Sequence, residues 1–126
     1  MDTSAFYASL NEDDAHHLAA RQALEHLKEA DLFTTNYVLL ECTGLLQKRK
    51  GLPLAQTFLT RTTNALEILW IDEALHREAV SLWEKSHRRG LSLVDCASFA
   101  AMRHASIRQA AAFDEHFADQ GFDLIP

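Results

Sequence analysis

The run Leu91-Ser92-Leu93-Val94-Asp95-Cys96-Ala97-Ser98-Phe99-Ala100-Ala101-Met102 constrains this chain more than any other. It is long enough for about three helical turns and is apolar on nearly every side. A helix of that kind is stable only inside a core. Yet it carries a carboxylate, Asp95, the single charged residue between Arg89 and Arg103. A lone carboxylate removed from water costs several kcal/mol unless hydrogen-bond donors or a cation meet it. One answer is local. Ser92 and Asp95 stand in the S-x-x-D spacing of a capping box, where each side chain satisfies a backbone N–H of the first turn.

Three further acids share this isolation. Glu41 is the only charge between Asp31 and Lys48, within Tyr37-Val38-Leu39-Leu40-Glu41-Cys42. Asp2 is followed by no charge before Glu12, and Asp114 follows Ala110-Ala111-Ala112-Phe113. One such acid is a local accident. Four, each at the edge of an apolar segment, imply carboxylates converging on a cation.

A chain of 126 residues suits a single domain, here 1–126. No apolar run approaches the roughly 18 residues of a membrane span, and no signal-peptide pattern opens the sequence, so the cytoplasm is expected. Cys42 and Cys96 lack C-x-x-C spacing and read as small buried apolar residues. The formal charge of −6 argues against gripping nucleic acid by bulk electrostatics, but not against a nuclease whose acids are neutralised by metal.

Short apolar segments at Leu32–Thr34, Leu66–Ile71, Ala110–Phe113 and Phe122–Ile125 read as strands. A strand end at Asp2 is expected to run directly into a helical turn. Between these lie helices over about 12–28, from an Asn36 cap to Lys50, from Pro53 to about Asn64, from the Asp72 cap to near Gly90, and over the Asp95 run, with a short turn at Asp114–Asp119. The first helix is expected to bury Ala15, Leu18, Ala19, Leu24 and Leu27, and the helix after Asp72 to bury Leu75, Ala79, Leu82 and Trp83. Strands alternating with amphipathic helices imply a doubly wound parallel sheet covered on both faces. In such sheets ligands bind beyond the carboxyl ends of the strands.

Met1-Asp2-Thr3-Ser4-Ala5-Phe6, Thr35-Asn36-x-x-x-x-Glu41, Ser92-Leu93-Val94-Asp95 and Phe113-Asp114-Glu115-His116-Phe117 together resemble the PIN-domain family in order and spacing, above all its VapC-type toxin ribonucleases. No one of these motifs is specific; four in sequence over one compact domain are. The resemblance implies a Mg2+- or Mn2+-dependent endonuclease of single-stranded RNA. Its four acids match Asp2, Glu41, Asp95 and Asp114, the hydroxyl two residues past the first acid matches Ser4, and an amide matches Asn36. It also implies a homodimer and an antitoxin partner, with no membrane. The family carries several apolar residues ahead of its first acid where this sequence shows Met1 alone, so the first strand is expected to be truncated.

Phosphodiester hydrolysis needs an activated water and charge stabilisation, which one or two hard cations provide. Magnesium takes few carboxylates directly, so Asp2 and Asp95 are expected as direct ligands, with Ser4, Asn36 and Ser92 in support. His116 reads as incidental. The basic clusters Lys48-Arg49-Lys50 and His87-Arg88-Arg89 fall at helix ends, where they complement the macrodipole. A PIN-like RNA-processing nuclease outside a toxin pair, or an inactive partner-binding domain, are the alternative functions. A phosphatase with an aspartyl nucleophile fits poorly, because Asp2-Thr3-Ser4 lacks a second acid two residues on.

Overall fold

The computed structural model describes residues 1–28 and 31–125. In chain order these form α1 (Thr3–Leu10), α2 (His17–Glu25), β1 (Phe33–Thr35), α3 (Asn36–Lys50), α4 (Leu52–Ala65), β2 (Glu67–Leu69), α5 (Glu73–Ser86), α6 (Leu93–His104), β3 (Gln109–Ala110), α7 (His116–Asp119) and β4 (Asp123–Leu124). All strand pairing among them is parallel. β1 lies beside β2 with Phe33 opposite Glu67, and β3 beside β4 with Gln109 opposite Asp123.

Helices cover both faces of this arrangement. On β2, Ile68 packs against one apolar cluster, with Val38, Cys42, Leu46 and Phe58. Its neighbour Leu69 packs against another, with Ala79, Phe99, Met102 and Phe117. Successive strand residues point to opposite faces, so two clusters reached from adjacent positions mean a core on each side. As its composition demands, α6 lies deep inside: every residue from Asp95 to Met102 is buried.

The sheet is not continuous. It is split into two two-stranded halves, and the extended residues Met1 and Asp2 lie between them. The Met1 ammonium donates to the Phe33 carbonyl at 2.6 Å, and the Asp2 N–H to the Ala111 carbonyl at 3.0 Å. Thr34 Oγ1 donates to the Met1 carbonyl at 3.0 Å. Beyond this short bridge a cavity of about 340 Å3 separates the edges of β1 and β3, lined by Phe33, Thr34, Met102, Ile107, Ala110 and Ala111 among others.

Several sequence expectations need correction. The N-cap of α3 is Thr35, whose hydroxyl accepts the Val38 N–H at 3.1 Å, and not Asn36. α2 starts at His17, because Asp14 Oδ1 accepts the His16 N–H at 2.8 Å and holds the acidic run in turns. The buried residue of α2 is accordingly Ala20, and Leu18 is exposed. Trp83 is half exposed and donates its indole N–H to the Leu91 carbonyl at 3.2 Å. β3 stops at Ala110, since the carbonyl of Ala111 and the amide of Phe113 are taken by Asp2 and Ser4. Gly51 closes α3 as expected, with φ +98°, a conformation that strains any side chain.

Candidate active site

Asp2 is the N-cap of α1, which fixes its side chain against the first helical turn. Its Oδ2 accepts from the Ser4 hydroxyl at 3.0 Å and from the Ser4 N–H at 3.4 Å. The Ser4 oxygen in turn accepts the Phe113 N–H at 3.0 Å. One hydroxyl thus ties the first acid to the backbone beside the fourth. The other oxygen of Asp2 is buried and has no hydrogen-bond partner among the described residues. A buried acceptor left without a donor costs about 1–3 kcal/mol, so something outside the protein should meet it.

Asp95 is both a cap and a buried charge. The capping box is present in both directions: Ser92 Oγ accepts the Asp95 N–H at 3.0 Å, and Asp95 Oδ2 accepts the Ser92 N–H at 3.2 Å. The residue is 7% exposed. Burial, then the charges of Asp2 and Asp114, push its pKa up to about 6, against the bonds from Ser92. Burial likewise raises the Asp2 carboxyl despite the bonds from Ser4, and lowers the neighbouring Met1 ammonium to about 6. Carboxylates held this way are short of a cation.

Asp114 follows β3 in an Asx turn, its Oδ1 accepting the His116 N–H at 2.8 Å. Asp95, Asp114 and His116 each bring one ligand atom within 4.8 Å of the others. Asp2 stands outside that group of three but acts on Asp95 through its charge. Glu41, in the second turn of α3, is exposed and also stands outside it. The charges of Glu41 and Asp2 both bear on Cys42, whose thiol burial pushes up to about 12, so the two acids flank a common neighbour. Asn36 is spent elsewhere: its Oδ1 accepts the Ile71 N–H at 2.6 Å, joining the end of β2 to the start of α3.

The residues fit a hard divalent cation. The donor set is the carboxylate oxygens of Asp95 and Asp114 with the His116 imidazole, the charges of Asp2 and Asp114 act against that of Asp95, and Asp2 Oδ1 is buried without a partner among the described residues.

A PIN domain model matches residues 1–123. The chain belongs to the PIN-domain family. Within it the chain stands with the VapC-type toxins. It is 33% identical, over 123 residues, to the 23S rRNA-specific endonuclease VapC20 of Mycobacterium tuberculosis, strains CDC 1551 / Oshkosh and ATCC 25618 / H37Rv. The match covers 97% of this chain and 93% of the relative. The crystal structure of Mycobacterium tuberculosis VapC20, described as a Sarcin-Ricin loop cleaving toxin, superposes with a TM-score of 0.86 at 32% identity, over 96% of this chain and 93% of that one.

For a PIN domain, the two cysteines are inert packing: both are free, wholly buried and, as buried thiols, raised in pKa. His116, expected from the sequence to be incidental, has its ring beside Asp114 and Asp95. Its one signal was position, two residues past an isolated acid, where an Asx turn brings the ring back toward that acid.

Proposed function

We propose that this PIN domain is a Mg2+- or Mn2+-dependent endoribonuclease that cuts single-stranded RNA, the toxin of a toxin–antitoxin pair, acting in the cytoplasm as a homodimer. The observation that carries this reading is the gathering of Asp95, Asp114 and His116 at one point, with Asp2, from a third distant stretch of chain, near enough for its charge to bear on Asp95. The kinship with VapC20, a 23S rRNA-specific endonuclease, supports RNA as the substrate and an antitoxin as the partner. Among the described residues no helix is long and apolar enough to cross a membrane.

Asp2 and Asp95 hold the cation, and Glu41 and Asp114 complete its surroundings, directly or through water. When bound, the cation supplies an activated water and neutralises charge on the phosphoryl oxygens. The chain's own residues do the positioning. The Ser4 hydroxyl orients Asp2 and locks it to the Phe113 backbone. The capping box holds Asp95 at the start of α6, where the packed helix allows it little movement. Asn36 fixes the approach of α3, and with it the position of Glu41.

The test is cleavage of an RNA substrate by the purified protein with and without Mg2+ or Mn2+. Cleavage should require the cation and disappear in Asp95→Asn, with the circular dichroism spectrum unchanged. Cleavage by Asp95→Asn at the wild-type rate would reduce Asp95 to a cap and remove the proposal's centre.

A further inference from the structure

We propose that His116 is a direct nitrogen ligand in this metal site and biases it toward cations that accept imidazole, such as Mn2+, over Mg2+. The inference rests on the metal-dependent reading above and specifies which cation that site prefers.

His116 Nε2 lies 3.6 Å from Asp114 Oδ1. That is too long for a hydrogen bond. It suits two donors sharing one ion: with bonds of about 2.1 Å, octahedral ligands stand about 3.0 Å apart when adjacent and about 4.2 Å when opposite. Asp95 brings its own oxygen within 4.8 Å of both. The ring is held in place and only slightly exposed. Its backbone N–H is bound by Asp114 Oδ1, and it lies against Gly90, where an added Cβ would come within 3.2 Å of Nε2. The space that this glycine leaves is filled by the imidazole. The other ring nitrogen, Nδ1, is buried and has no partner among the described residues, so no hydrogen bond from them already accounts for the ring's placement. Close by, the Oδ1 of Asp2, whose charge acts on Asp95, is also buried without a partner among the described residues.

Chemistry then sets the preference. Magnesium demands oxygen ligands in near-ideal octahedral geometry, whereas manganese and the later divalent metals bind imidazole increasingly well. A site of carboxylates alone would leave the choice to availability. A carboxylate site with one imidazole does not. The alternative role for His116 is an ion pair with Asp114, which predicts no change in the order of metal affinities when the ring is removed.

The experiment uses the full chain, stripped with EDTA, and each metal ion alone. Pulsed electron paramagnetic resonance of the Mn2+-loaded wild type should show a directly coordinated 14N nucleus, a readout that needs no variant and no RNA. In His116→Gln that coupling should vanish, although the chain's six other histidines remain. By calorimetry, His116→Gln should weaken Mn2+ binding at least about tenfold while changing Mg2+ binding by less than about threefold. No 14N coupling in a wild type that still binds Mn2+ overturns the role of His116 and leaves metal-dependent cleavage standing. Equal weakening of both ions in the variant overturns the selectivity. Failure of the wild type to bind either ion overturns both this inference and the metal-dependent reading beneath it.

Discussion

Replacing Asp95 with Asn should make the metal-free protein more stable at about pH 8 and no more stable at about pH 4. Asn keeps the shape and an oxygen that can accept the Ser92 N–H, so the cap survives. What disappears is a charge buried beside Asp2 and Asp114. In the folded protein Asp95 titrates at about 6, against 3.8 for an ordinary Asp. Between those values the folded state keeps a proton that the unfolded chain has released. Stability from this group is therefore highest below about pH 4, falls as pH climbs through about 6, and is level above. At about 1.4 kcal/mol per factor of ten, the penalty in the wild type above about pH 7 is about 3 kcal/mol. Against its removal stands the lost attraction between a carboxylate and the helix N-terminus, about 0.3–1 kcal/mol. The net gain is about 2 kcal/mol, or roughly 5–8 °C in Tm for a chain of this size. The assay is urea unfolding of both proteins in EDTA at pH values from about 4 to about 8. A variant that is less stable at about pH 8, or whose difference from wild type is the same at both ends, would show that Asp95 is a satisfied cap.

Three further outcomes are expected. Mg2+ or Mn2+ should raise the stability of the wild type by about 2.7 kcal/mol at a hundredfold excess over Kd, and more weakly as the pH falls below about 6, because a cation binds the deprotonated acids; melts of Asp95→Asn should show little response. Ser4→Ala leaves the Phe113 N–H and Asp2 Oδ2 without their shared hydroxyl, and should cost about 1–3 kcal/mol in urea titrations while lowering the metal-dependent cleavage rate by about tenfold or more. Apolar residues added ahead of Met1 should enter the cavity between β1 and β3, each side chain that becomes buried contributing about 1.5–3 kcal/mol; a Tm no higher than that of a Gly/Ser extension of equal length would count against a strand in that slot.

The sequence by itself determined which segments had to be inside and which residues could not be there without a reason. α6 was legible because an apolar helix has one stable environment, and Asp95 because a charge in such a helix needs an explanation. The alternation of strands and helices likewise settled the class of sheet, and Gly51 and Asp72 marked helix ends through rules that act within one turn. The acids were legible as four isolated charges expected to converge, but which of them come together was not, because stretches more than a hundred residues apart meet only through packing: Asp95 and Asp114 share one point with His116, Asp2 acts on Asp95 through its charge, and Glu41 stands outside. Tertiary structure alone decided that Ser4 would link Asp2 to the Phe113 backbone and that Asn36 would be drawn to Ile71, leaving Thr35 to cap α3. It also decided that His116 would stand beside Asp114 and Gly90. The Ser4–Phe113, Asn36–Ile71 and His116–Gly90 contacts each depend on a partner distant in sequence, and hydrogen-bonding capacity alone does not say which donor will arrive. The division of the sheet around Met1 and Asp2 has the same origin: strand pairing is set by which edges pack within reach of one another, and residue pattern carries no record of that distance.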